Sequence, residues 1–127
     1  MSIDQVIEQF RPVFRAELPE RIGRIHAGLQ AQSTGRAADA LQTAFREAHS
    51  LAGTAAYMDA PELTAAAERL SVHIRGRLAD TRGAGGRPLV EAWRMYERLR
   101  TAAAEYLGVG DVGPAPPTPD ARASHDG

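Results

Sequence analysis

Apolar residues recur at helical spacing from the start of the chain. Val6, Ile7, Phe10, Val13 and Phe14 open the pattern, and Leu18, Ile22, Ile25 and Leu29 continue it as one stripe. Ser2, with Gln5 three residues later, has the form of a capping box. Pro12 and Pro19 each remove a backbone donor, so this first segment is expected to be kinked, or split into a short helix and a longer one. Gln32-Ser33-Thr34-Gly35 reads as a turn, and the alanine-rich stretch from Arg36 to Met58 reads as a central helix. Asp59, Pro61 and Glu62 mark the start of a third helix, whose apolar side carries Leu63, Ala66, Ala67, Leu70, Ile74 and Leu78. After a loop from Thr81 to Gly86, Pro88 opens a last helix with Leu89, Trp93, Tyr96, Leu99, Ala103 and Leu107 on one side. No alternating β-type run interrupts these segments, and short connections favour antiparallel neighbours. The expectation is an all-α, up-and-down antiparallel four-helix bundle with an N-terminal helical extension, spanning residues 1–107. From Gly108 the pattern stops. Residues 108–127 hold four prolines and few apolar side chains, too little burial to repay the entropy of ordering, and are expected to form a disordered Pro/Gly-rich tail or linker.

Composition narrows the functional classes. The 127 residues contain no cysteine, which excludes disulfides and thiolate metal sites and fits a reducing, cytoplasmic setting. Neither a signal peptide nor a bilayer-spanning apolar run is present. A net charge of −1, from 15 basic and 16 acidic residues spread along the chain, gives no field for nucleic acid or an anionic membrane, so the expected partners are proteins. Every basic residue is Arg, and lysine-dependent Schiff-base and P-loop chemistries are therefore absent.

The central helix holds the informative chemistry. At about 100° per residue, Leu41, Ala44, Phe45, Ala48, Leu51, Ala55 and Met58 share a core face. Gln42, Arg46, His49, Gly53 and Ala56 share a flank about a third of a turn away, which leaves His49 partly exposed. Gly53 costs about 1 kcal/mol relative to Ala inside a helix, and close approach of another molecule is one reason to keep it. An imidazole is suited to phosphoryl relay: partly neutral near pH 7, nucleophilic at nitrogen, and readily displaced from phosphorus. Transfer further needs access and charge stabilisation, for which Ala52, Gly53 and Ala56 are small enough and Arg46 is a nearby cation. Arg75 on the next helix is a second candidate cation.

The segment Phe45-Arg46-Glu47-Ala48-His49-Ser50-Leu51-Ala52-Gly53-Thr54-Ala55 resembles the active helix of histidine-containing phosphotransfer (HPt) domains, including the N-terminal domains of chemotaxis histidine kinases. Ala48, His49, Leu51 and Gly53 fit the family pattern, and the apolar stripes extend the resemblance over roughly Ile3 to Leu107. The resemblance implies a phosphorelay carrier in two-component signalling, with His49 as phospho-acceptor. It would exchange its group with an aspartate of a response-regulator receiver domain or take it from a sensor or hybrid histidine kinase. It also implies no cofactor or complete kinase machinery in this chain, with Mg²⁺ held by the receiver; a monomer is expected. Two positions depart from the pattern. Ala52 stands where the family usually has Lys, and Ser71 stands where chemotaxis members have a Glu that bonds the imidazole. Glu68, one turn before Ser71, is the alternative carboxylate for orienting the ring. The turn Met58-Asp59-Ala60 also lacks the family's usual glycine.

Other classes fit less well. His26, His49, His73 and His125 fall in no paired metal-ligand spacing. Ser50 points about 100° away from His49 around the helix, against a hydrolase dyad. The open alternative is a non-catalytic HPt-like module that docks a receiver or kinase domain without accepting phosphate, for which the absent Lys and Glu would be the sign.

Overall fold

The computed structural model describes residues 2–31, 37–80 and 89–117. Four helices account for most of them: α1 (Ile3–Gln30), α2 (Ala37–Tyr57), α3 (Pro61–Ala79) and α4 (Val90–Leu107). They form an all-α antiparallel four-helix bundle. Helix α2 packs most extensively on α3 and next on α1, α3 on α4, and α1 meets α4 more sparsely. The Gln32–Gly35 turn, the Thr81–Gly86 loop and Pro88 lie outside the described residues.

α1 starts as its first residues dictate. The Ser2 hydroxyl accepts from the Gln5 backbone N–H, and the Ser2 N–H donates to the Gln5 side chain. Neither proline divides the helix: both Pro12 and Pro19 lie within a single 28-residue element. They are both exposed, about two turns apart on the same side, so the carbonyls that lose a partner face solvent while Phe14, Leu18, Ile22, Ile25 and Leu29 line the core.

Burial in α2 and α3 follows the apolar stripes. Leu41, Ala44, Ala48, Leu51, Ala55 and Met58 from α2 meet Leu63, Ala67, Leu70 and Ile74 from α3 in one core, with Phe45 only half-buried. Close helix approach is built in at Gly28, where a Cβ would come within 2.8 Å of the Ala40 carbonyl oxygen and 2.9 Å of Ala44 Cβ. At the α2–α3 turn Asp59 takes the left-handed conformation, φ 57°, that a glycine would occupy more easily. It does not cap α3. Ala60 precedes the helix, without a side-chain cap, and Pro61 opens it.

The region beyond Gly108 departs from the expectation of a disordered tail over its described part. Residues 109–117 fold back as a strap over the bundle. Val112 is buried, the Arg100 side chain donates to the Val112 carbonyl and the Asp111 carboxylate, and the Tyr96 hydroxyl donates to the Pro114 carbonyl at 2.6 Å. His26 Nε2 lies 3.2 Å from the Ala115 carbonyl oxygen. Gly113, at φ 71°, passes so close to Ile22 that a Cβ would meet its methyl at 2.7 Å. The strap is ordered by long side chains of α1 and α4 that satisfy its carbonyls, a source of stability that low apolar content does not reveal. Residues 118–127 lie outside the described residues.

Candidate functional site

On α2 the apolar stripe turns its back to a polar flank, and that geometry places His49 in solvent. The ring stacks on Phe45, one turn earlier, with centroids 5.5 Å apart and planes inclined by 18°. The half-burial of Phe45 therefore reflects its position between core and flank, where its ring becomes a platform under the imidazole. Among the described residues neither ring nitrogen of His49 has a hydrogen-bond partner.

Around the ring, Arg46, Gly53 and Ala56 are exposed and Gln42 is half-buried, as the helical wheel expects. A Cβ placed on Gly53 would meet nothing within 4 Å, so no contact inside the bundle demands a glycine there. Ala52 differs from its neighbours. It is only 8% exposed and belongs to the core, because on the wheel it falls between Leu41 and Phe45, about 20° from each. It is not part of the open flank, contrary to its expected place at a partner contact.

The α3 candidates are not assembled with the imidazole. Ser71 is buried, and its hydroxyl donates to the Glu68 carbonyl of its own helix at 2.9 Å. Glu68 and Arg75 are exposed, and among the described residues neither bonds His49. The ring-orienting hydrogen bond expected from Glu68 is thus not formed among the described residues, its side chain being turned into water, and Ser71, at the family's Glu position, is turned into the α3 backbone. His73, also on α3, is half-buried; desolvation first, and the Arg77 charge second, lower its pKa from the usual imidazole value. Among the described residues there is no cluster of three or more His, Asp or Glu that could hold a metal.

Sequence patterning did not reveal the α1 side of this surface. An open groove of about 490 Å³ runs between the N-terminal half of α1 and the C-terminal half of α2. Its lining includes Ile3, Ile7 and Phe10 from α1 and Ser50, Gly53 and Tyr57 from α2. Ile3, Phe10 and Tyr57 are 68, 56 and 66% exposed, an apolar concentration that on α2 starts two helical turns from His49. The groove is bordered by arginine contacts between the helices: Arg21 Nη2 donates to the Ser50 hydroxyl at 2.9 Å, and Arg24 bridges Glu20 and Glu47, both at 3.1 Å. A further groove, of about 450 Å³ between α3 and α4, includes no residue of α2. The apolar period of α1 was visible beforehand, but not which part of it overhangs the bundle uncovered.

Among the described residues no helix is long and apolar enough to cross a membrane. No curated protein and no solved structure matches the chain. A family model described as Hpt domain matches residues 9–105, which takes in the greater part of all four helices and the flank bearing His49. The chain therefore belongs to the Hpt domain family, the phosphorelay carriers of two-component signalling that work between kinases and receiver domains.

Proposed function

We propose that His49 is the phospho-acceptor of this carrier, exchanging a phosphoryl group with the aspartate of a receiver domain. The supporting observation is an exposed imidazole, stacked on Phe45, with open space one turn further along the helix at Gly53. In the forward step an unprotonated ring nitrogen attacks phosphorus in line. The N–P bond forms as the bond to the aspartyl oxygen breaks, the electron pair stays on the departing carboxylate, and the other ring nitrogen keeps its proton. The imidazolium so formed can return the group by the same path. Mg²⁺ belongs to the acidic pocket of the receiver in this reading, and the chain acts as a cytoplasmic monomer that meets its partners transiently.

Docking is assigned to the His49 flank together with the apolar groove beside α1, because a protein seated over His49 also meets the exposed Phe10 and Tyr57 side chains. Arg46 lies on this flank as a cation for the incoming anionic pocket. Glu68, Ser71 and Arg75 have no assigned part.

The test is incubation with an active kinase or a phosphorylated receiver, comparing wild type with His49→Gln. Acid-labile, base-stable label is expected on the wild type alone. Label on both proteins would falsify the His49 assignment, and a wild type that binds the receiver but never takes label would establish the docking module without phosphate acceptance.

A further inference from the structure

We infer that Phe45 is the positioning residue for His49: its ring holds the imidazole in one orientation by stacking, and supports the positive charge that the imidazole acquires as it takes up phosphate. The inference rests on His49 carrying the phosphoryl group. An exposed imidazole on a helix is free to move among staggered rotamers, whereas in-line attack needs one nitrogen aimed at phosphorus. Something must therefore hold the ring. Hydrogen bonds do not do so among the described residues: the Ser71 hydroxyl donates to the Glu68 carbonyl, and the exposed Glu68 carboxylate does not bond His49.

Phe45 meets the ring directly. A helical side chain leans towards the N-terminus, which brings residue 49 over residue 45 one turn earlier. The two rings are nearly parallel, their planes inclined by 18° with centroids 5.5 Å apart, an offset stack. Phe45 is itself held, half-buried and packed against the core cluster. A fixed ring thus carries an exposed one.

The stack leaves the reacting atoms free. It covers part of one face of the imidazole, while the nitrogen lone pair and the N–H lie in the ring plane and stay open at the edge. In the transfer step the N–P bond forms as the aspartyl O–P bond breaks, the carboxylate departs with the electron pair, and the other ring nitrogen keeps its proton. The imidazole thereby becomes a cation, and the negative face of a phenyl ring attracts a cation within about 6 Å of its centroid. Phe45 exchanges no proton. It acts through His49, by orientation and by charge.

The test follows transfer from a phosphorylated receiver to the full chain by rapid quench, over a range of receiver concentrations, for wild type, Phe45→Leu and Phe45→Tyr. NMR three-bond couplings of the His49 side chain are measured on the same proteins. Phe45→Leu keeps an apolar residue of good helix propensity against the core and removes the aromatic face. It should lower the maximal transfer rate roughly 5-fold, from an imidazole spread over more rotamers and a less favoured cation, and leave the half-saturating concentration within about 2-fold of wild type. Phe45→Tyr restores the face and should transfer at close to the wild-type rate. The couplings should report one dominant χ1 rotamer of His49 in wild type and Phe45→Tyr, and averaging in Phe45→Leu. Averaged couplings in the wild type overturn the inference without any variant. So do a Phe45→Leu protein with the wild-type maximal rate, a Phe45→Tyr protein as slow as Phe45→Leu, and a loss confined to the half-saturating concentration, which would make Phe45 a docking contact. Wild-type protein that takes no label would instead sink the His49 reading and this inference with it, whereas label on wild type and an unaffected Phe45→Leu sinks the inference alone.

Discussion

Replacing Gly53 separates the stability of the helix from its use. Gly53 lies in the interior of α2, exposed, and an added Cβ meets no atom within 4 Å. Gly53→Ala therefore removes the entropic cost of glycine without introducing a clash, and should stabilise the fold by about 0.8–1 kcal/mol. For a domain of this size that corresponds to a rise in Tm of about 3–5 °C, measured by far-UV circular dichroism. Gly53→Gln keeps most of the helix-propensity gain but projects a long side chain one turn from His49. In-line transfer tolerates little displacement, a misplacement of about 1 Å costing on the order of 100-fold, so this variant should transfer at least roughly 10-fold more slowly while melting no earlier than wild type. A lower Tm for Gly53→Ala would refute the open surroundings described here. A Gly53→Gln protein transferring at the wild-type rate would show that no partner uses the space.

The same change at Gly28 should have the opposite sign. Its Cβ would stand 2.8 Å from a backbone oxygen of α2, and overpacking of about 1–3 kcal/mol exceeds the propensity gain of about 1 kcal/mol, so Gly28→Ala should lower the urea midpoint; an unchanged or higher midpoint would contradict the close α1–α2 approach. Tyr96→Phe should cost about 0.5–1.5 kcal/mol through the hydrogen bond to Pro114 that it removes. Burial pushes the Tyr96 pKa up to about 12 from 10, so the unfolded chain ionises first and the wild type should lose stability as pH rises from 10 towards 12. The phenylalanine variant should show a flatter alkaline limb in denaturation, and parallel limbs would count against the buried phenol.

Much of the helical bundle and the position of His49 was legible locally, because a helix repeats its environment every few residues. The stripe Leu41, Ala44, Ala48, Leu51, Ala55 and Met58 defines an inside for α2, and His49, Gly53 and Ala56 then fall outside by angle alone. The capping box at Ser2 is equally local. Ala52 obeys the same rule: at about 20° from both Leu41 and Phe45 it falls on the core face and is buried there, so its place beside the open flank came from the family position it occupies and not from its angle.

Tertiary structure alone decided which long side chains meet across the bundle. Arg21 and Ser50 are 29 residues apart, Tyr96 and Pro114 are 18 apart, and no periodicity links them. The same holds for the strap after Gly108, whose prolines and glycines suggested no order until Arg100 and Tyr96 supplied partners for its carbonyls. Side-chain periodicity determines which face of a helix turns inward; the contacts between separate elements depend on their relative placement, which only the packed core establishes.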